Sequence, residues 1–314
     1  MRQIIFQRYG GPDVLDIVEA EIPEPAAGQL LLSVSHSGVN FAEVMFRRGQ
    51  IPVGTPHVPG LEAVGVVERI GAGVEGFAPG DRVAALTLAG GGQAEYAVAE
   101  ARFAVPLTGA LAGLPAELAA AVLCNATTAV GAIELAARPA AGERILVTAA
   151  AGGVGRCLLD LLAGQGYEVW AATSDPAKLG TGSAAAGVVG YDNLGDTEPF
   201  DVVFDSVGGP ARKLVRERMP LLGRHVIMGD AAQDDTQVAL DSLWFQGATV
   251  TGYNLGGLAY GRPDMFGRHL RTALEHAAAG RFSVRPAVSG PEQIRDVHTR
   301  LENRTSSGKF VLHW

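Results

Sequence analysis

Residues 144–155 read Arg-Ile-Leu-Val-Thr-Ala-Ala-Ala-Gly-Gly-Val-Gly, and this stretch decides the fold. Arg144–Ala149 is a short apolar run of the kind that forms a strand buried in a parallel sheet. Ala150–Gly155 is the turn. Val154–Ala163 follows as a helix, with Leu158, Leu159, Leu161 and Leu162 on its buried side, and Gly164 and Gly166 end it. Tyr167–Thr173 is the next strand. Glycines at such a turn allow the tight bend, let the backbone approach a pyrophosphate and pack helix against strand. The helix N-terminus adds unpaired N–H groups and the positive end of a dipole. A chain with 42 glycines makes a glycine-rich turn alone a weak sign. Between strand and helix, with a second strand beyond, it reads as a dinucleotide site.

Working outward, strands at Val188–Tyr191, Asp201–Asp205 and His225–Met228 alternate with helical stretches. That alternation implies a doubly wound parallel sheet covered on both faces. Upstream the text is β-rich: Arg2–Gln7, Gln29–Gly38, Ala63–Ile70 and Arg82–Leu88 are aliphatic runs separated by Gly/Pro clusters. Short strands of this kind suggest a small barrel or sandwich. Leu114–Leu123 and Thr128–Ala137 read as two helices, the second stopping before Pro139. After Ala248 the pattern predicts a strand at Thr249–Tyr253, helices at Met265–Ala279 and Pro291–Asn303, and a last strand at Lys309–His313.

An NAD site commonly has Asp or Glu at the end of the second strand, gripping the ribose hydroxyls. Here that strand ends Ala172-Thr173-Ser174, with Asp175 next and Lys178 in the following turn. A hydroxyl and a lysine suit a 2′-phosphate, and a carboxylate there would repel it. The charge argument favours NADPH, against the plainer reading that Ser174–Lys178 caps a helix.

The bulk numbers fit. At 314 residues the chain is long enough for two domains, and 47% hydrophobic content supports sizeable cores. A net charge of -8 argues against nucleic acid as a partner. The two cysteines, Cys124 and Cys157, are not in a CxxC pair, which suits a reducing compartment and gives no metal-ligand spacing. The N-terminal residues contain no apolar leader. The Ala-rich run 114–137 is broken by Pro115, Glu117, Asn125 and Glu134, so it reads as a globular helix rather than a membrane span. The expected location is the cytoplasm.

Several motifs in order carry a resemblance: Gly38-Val39-Asn40-Phe41, Pro59-Gly60-Leu61-Glu62, Gly80-Asp81-Arg82-Val83, Ala94-Glu95-Tyr96, Ala126-Thr127-Thr128-Ala129, the turn at 149–155, Phe200–Gly209, Gly223-Arg224 and Gly308-Lys309. Across most of its length the chain resembles the zinc-independent quinone oxidoreductase (zeta-crystallin-like) branch of the medium-chain dehydrogenase/reductase superfamily. The resemblance implies an α/β protein with a β-rich GroES-like catalytic domain, residues 1–118 and 256–314, and a Rossmann domain, residues 119–255. It implies that Asn40 and Thr128 line the nicotinamide pocket and that Gly152, Gly153, Val154 and Gly155 hold the pyrophosphate. Ser174, Lys178 and Tyr191 would surround the 2′-phosphate, and Gly208 and Gly229 would lie near the cofactor. The strand Thr249–Leu255 would reach the carboxamide, with Leu255 at its end, and help form a homodimer. For Tyr191, a role as a strand-end aromatic over the core is an equal alternative. Zinc-using relatives place Cys at Asn40 and His at Leu61. Glu62 alone cannot make a three-ligand catalytic site, so no metal is expected.

Two departures stand out. Only nine residues separate Tyr191 from Asp201, too few for a helix and its connections. After Asn40 the chain reads Phe41-Ala42-Glu43-Val44-Met45-Phe46, an apolar wall. No Tyr-x-x-x-Lys pair or nucleophile triad is evident. His36, His57 and Glu43 lie near the expected cleft but read as structural or surface groups, and Arg47-Arg48 as solvated. The expected function is NADPH-dependent hydride transfer to a small quinone or α,β-unsaturated carbonyl. An enoyl-thioester reductase and a non-catalytic NADPH-binding sensor remain alternatives.

Overall fold

The computed structural model describes residues 1–180, 183–234, 237–306 and 308–314. The chain folds into two compact units, residues 1–127 with 258–314, and residues 128–257.

The first unit grows from the aliphatic runs at both ends of the chain. β1 (Arg2–Phe6) and β2 (Leu15–Glu19) pair antiparallel. β3 (Gln29–Val39), β4 (Glu62–Ile70), β5 (Arg82–Leu86), β6 (Tyr96–Glu100) and β7 (Ala104–Pro106) join a larger sheet. That sheet runs β14 (Pro286–Ser289), β15 (Lys309–His313), β3, β4, β5, β7, and β6 also pairs with β3. The register between β3 and β4 shifts at Leu31/Leu32 and again at Val34/His36, irregularities that bend β3 before it reaches Asn40. Leu30, Leu32, Val34, Ala63, Val67, Val83 and Ala85 fill one core. A second core places Ile4, Phe6, Val39, Phe310 and Leu312 beneath Ile294 and Val297 of helix α8 (Ile294–Glu302).

Helix α1 (Phe41–Arg47) packs against α8. Arg47, expected in solvent, is fully buried there. Its guanidinium donates to Gly10 O, His298 Nδ1 and Glu302, so the charge is matched inside the protein. Burial and the adjacent Arg47 hold the His298 imidazole down at about 3.

The second unit is a six-stranded parallel sheet. Its strands are β8 (Arg144–Val147), β9 (Glu168–Thr173), β10 (Gly187–Gly190), β11 (Val202–Asp205), β12 (Arg224–Ile227) and β13 (Thr249–Gly252). They lie in the order β10, β9, β8, β11, β12, β13. The order reverses between β8 and β11, and ligands of such sheets bind outside the carboxyl ends of the strands at that switch. Helices α3 (Gly153–Leu162), α4 (Gly209–Glu217) and α5 (Leu240–Gln246) belong to this unit. Between β10 and β11 stands only a 3-10 turn, Tyr191–Asp196, as the short spacing requires.

Three sequence expectations change. The helices read at 114–123 and 128–137 are one helix, α2 (Ala116–Gly131), running into a π-helical stretch, Ala132–Ala137. Cys124–Thr127, which separated them on paper, are buried and helical; Thr127 Oγ1 bonds back to Leu123 O at 2.6 Å. Among the described residues Ala116–Ala137 is the one helix long and apolar enough to cross a membrane, yet 78% of its 18-residue apolar window is buried inside the protein. The boundary between the units falls at 127/128 rather than 118/119, because Cys124 N–H is held by Glu62 and Ala120 O faces Gly38 of the first unit. Leu255 does not end a strand: β13 stops at Gly252 and Leu255 opens helix α6 (Leu255–Gly261). The next helix, α7, spans Pro263–Ala278.

Candidate active site

In the second unit the turn after β8 is held by backbone. Ala149 adopts φ +47°, an uncommon value for a residue with a Cβ. Gly152 N–H bonds to Ala149 O at 2.8 Å, and Ala150 N–H to Ala172 O of β9 at 3.1 Å. The Tyr191 hydroxyl accepts the Ala149 N–H at 2.8 Å and also lies 3.5 Å from Ala172 O. Tyr191 therefore braces the turn from behind. Gly152 N-caps α3 in extended conformation, and no side chain caps that end. The first-turn N–H groups are thus left for an outside acceptor. A Cβ on Gly155 would collide with Ala149 O and Ala150 Cα, so the helix can approach the strand this closely only over glycine. Uncapped donors behind a surface free of side chains fit a pyrophosphate.

At the end of β9, Ser174 is exposed and Lys178 half-buried. The Asp175 carboxylate accepts the Ala177 N–H at 3.0 Å, capping the 3-10 turn Pro176–Leu179. Arg156, in the first turn of α3, donates to Ala151 O and Lys178 O, tying the glycine turn to the segment after β9.

Across the switch lies a node the sequence reading missed. Asp205 ends β11 fully buried. It accepts from Arg212 Nε at 2.6 Å, Val207 N–H at 2.8 Å, and Gly208 N–H and Thr148 Oγ1 at 3.1 Å; His225 Nε2 lies 3.3 Å away. Burial opposes its charge, but the bonds from His225 and Arg212 hold the carboxyl well below the usual range. Arg212 also donates to Gly229 O at 2.7 Å. Asp205 and Arg212 thus join Gly208, which sits at φ +80°, to Gly229. An acidic residue closing the wholly apolar run Val202-Val203-Phe204 was the available sign, because a charge there needs a buried partner.

In the first unit Asn40 is the junction of a second node. Lys309 Nζ donates to Asn40 Oδ1 at 2.5 Å and to Glu62 Oε1 at 2.6 Å. Asn40 Nδ2 donates to Glu62 Oε1 at 2.9 Å and Glu43 Oε1 at 3.3 Å. Glu43 further accepts Asn40 N–H, Leu61 N–H and Gln93 Nε2. Glu62 Oε2 holds Cys124 N–H at 2.7 Å. Glu43, expected at the surface, is fully buried, and burial pushes its carboxyl up to about 7 against the opposing pull of Lys309. The Oε1 of Gln93 is buried without a partner. By turning its amide over, Gln93 can donate to ionised Glu43 or accept from protonated Glu43. A lysine ammonium stands beside Asn40 and Glu62, and among the described residues no group of three His, Cys, Asp or Glu could hold a metal.

The structure gathers Gly152–Gly155, Lys178 and Tyr191 around one turn and Gly208 with Gly229 around another. Asn40 lies in the first unit, whereas Thr128, partly buried in α2, opens the second. The alcohol dehydrogenase GroES-like domain family matches residues 26–109 and the zinc-binding dehydrogenase family residues 184–312. A quinone oxidoreductase of Pseudomonas aeruginosa is 29% identical, covering 99% of each chain. A probable quinone oxidoreductase of Schizosaccharomyces pombe is 27% identical over 97% of this chain and 94% of its own. The solved structure of Escherichia coli quinone oxidoreductase complexed with NADPH superposes with a TM-score of 0.89 at 25% identity, covering 100% of both chains. Taken with the two units and the glycine turn, these matches show the GroES-like and zinc-binding dehydrogenase domains of the medium-chain dehydrogenase/reductase superfamily, in a chain similar along its length to quinone oxidoreductases.

Proposed function

We propose that the chain is an NADPH-dependent reductase of quinones or other α,β-unsaturated carbonyls. The uncapped N-terminus of α3 behind the glycine turn carries the reading. NADPH supplies the hydride when bound. Gly152–Gly155 present backbone N–H groups to its phosphates. Ser174 and Lys178 select the 2′-phosphate, and the competing carboxylate of Asp175 is spent on capping Ala177. Tyr191 holds the turn in shape through Ala149. Asn40 in the first unit and Thr128 in the second are the nicotinamide-facing residues. The amide of Asn40 is already engaged by Lys309, Glu43 and Glu62, so its part is to present a fixed surface. The proton for the reduced oxygen comes from solvent.

The test is oxidation of NADPH and NADH against a benzoquinone, an ortho-quinone, an enone and an enoyl thioester, with and without chelator. Chelator-resistant oxidation of NADPH with the quinone or enone is expected. Preference for the thioester would move the substrate class, and binding without turnover would make the chain a cofactor-binding protein. Lys178→Glu should raise the Kd for NADPH about tenfold or more while sparing NADH. An equal effect on both would remove Lys178 from the 2′-phosphate.

The chain also acts as a homodimer in this reading. β13 is an edge of the parallel sheet, and such edges invite pairing. Beside it stand Trp244 and Phe245, 75% and 77% exposed, with Leu221, Leu222 and Leu240 also exposed. An apolar patch of this kind marks an interface, and a self-complementary one closes as a two-fold dimer. Sedimentation should give a dimer, and Trp244→Glu with Phe245→Glu a folded monomer; a wild-type monomer would sink the idea.

A further inference from the structure

We propose that His36 and His313 form a surface site for a divalent transition-metal ion of the Ni2+/Cu2+/Zn2+ class, away from the Asn40 node. The two residues are register partners on the antiparallel strands β3 and β15. Their ring centroids lie 4.8 Å apart with the planes at 60°. A metal about 2.0–2.1 Å from an imidazole nitrogen lies about 3.2 Å from that ring's centre. Two ligands at 90–110° then place the centres about 4.5–5.2 Å apart. The observed spacing falls in that interval, so the two rings are near enough to share one ion.

The hydrogen bonding sets the tautomer as well. Ser35 Oγ donates its one proton to Val64 O at 3.1 Å. In its 3.1 Å contact with His36 Nδ1 it must therefore accept, which puts the His36 proton on Nδ1 and leaves the Nε2 lone pair bare. Metal-bound histidines take this arrangement, donating the far N–H to a fixed outer partner. His313 is exposed. Burial and the facing His313 lower the His36 pKa, opposed by the Glu117 carboxylate. The remaining coordination positions fall to water. Affinity should follow the usual order, with Cu2+ ahead of Ni2+ and Zn2+. A bound ion would clip β3 to β15, the strand that delivers Lys309 to Asn40.

The experiment uses the untagged full chain, stripped by chelator and titrated with Ni2+ alone by calorimetry, with Cu2+ electron paramagnetic resonance as a second readout. One equivalent is expected to bind, to raise Tm, and with Cu2+ to show coupling to two nitrogens. His313→Gln and His36→Gln should each weaken Ni2+ roughly tenfold or more, and Ser35→Ala, which touches neither lone pair, should do so by a similar factor through the lost tautomer bond. Should a variant fold poorly, the two-nitrogen spectrum of the wild type decides. Absence of that spectrum, no binding, or unchanged affinity in His313→Gln would each overturn the site.

Discussion

Gly155→Ala is expected to abolish NADPH binding at concentrations that saturate the wild type. The added Cβ would lie within contact distance of Ala149 O and 2.7 Å from Ala150 Cα. Both are backbone atoms, so no side chain can swing away. The start of α3 must lift off β8, and the N–H groups proposed to face the phosphates leave with it. The cost to the fold is about 1–3 kcal/mol, typical of overpacking in a tight core. The loss of binding should be far larger, since the donors act together. Gly152→Ala is the graded control: its Cβ would meet only Ala149 O, at 3.1 Å. Fluorescence titration with NADPH and a melting curve separate the two effects. A Gly155→Ala protein that binds NADPH within threefold of wild type would show that the turn does not hold the pyrophosphate.

Lys309→Met should lower stability by about 3–5 kcal/mol near pH 8, because it strips the cation from a buried carboxylate pair. The magnitude depends on pH through Glu43. Its folded-state value of about 7 lies above the unfolded value near 4.5. Stability from this group is therefore present below about pH 4.5 and is lost as pH rises through about 7. Lys309 lowers the Glu43 value, so removing it extends that loss above pH 7. The gap between variant and wild type should widen from pH 5 to pH 8 in urea melts. Adding Glu62→Gln to Lys309→Met should recover part of the loss by removing one of the stranded charges. A gap under about 1 kcal/mol at pH 8, or one that narrows with rising pH, would mean that Lys309 does not balance this cluster.

The parts legible in the sequence were those whose physics is local. The turn at 149–155 announces itself because glycine is needed within a few residues of a strand and a helix. β15 was read at its full extent, Lys309–His313, from its short apolar core Phe310-Val311-Leu312. The segment after Tyr191 was correctly read as too short for a helix. The strands β2 (LDIVE), β6 (YAVAE), β7 (AVP) and β14 (PAVS) escaped because Asp, Glu or Pro breaks or bounds each apolar run. The nodes around Asn40 and Asp205 escaped for another reason. Lys309 lies 269 residues from Asn40 and 247 from Glu62, and no spacing rule reaches that far. Arg47 was misread because one charged residue on a short amphipathic helix looks the same whether it faces water or Glu302.

That long separation bears on how the protein is made. Glu43 and Glu62 leave the ribosome early, yet the ammonium that neutralises them comes only with β15, which slots between β14 and β3. Until residue 309 emerges, the first unit holds two carboxylates it cannot comfortably bury and a β3 edge awaiting its neighbour. Meanwhile residues 128–257 form an unbroken stretch that can fold on its own in the interval. The order of synthesis thus favours completing the parallel-sheet unit first, with the β-rich unit closing last as a slow, long-range step.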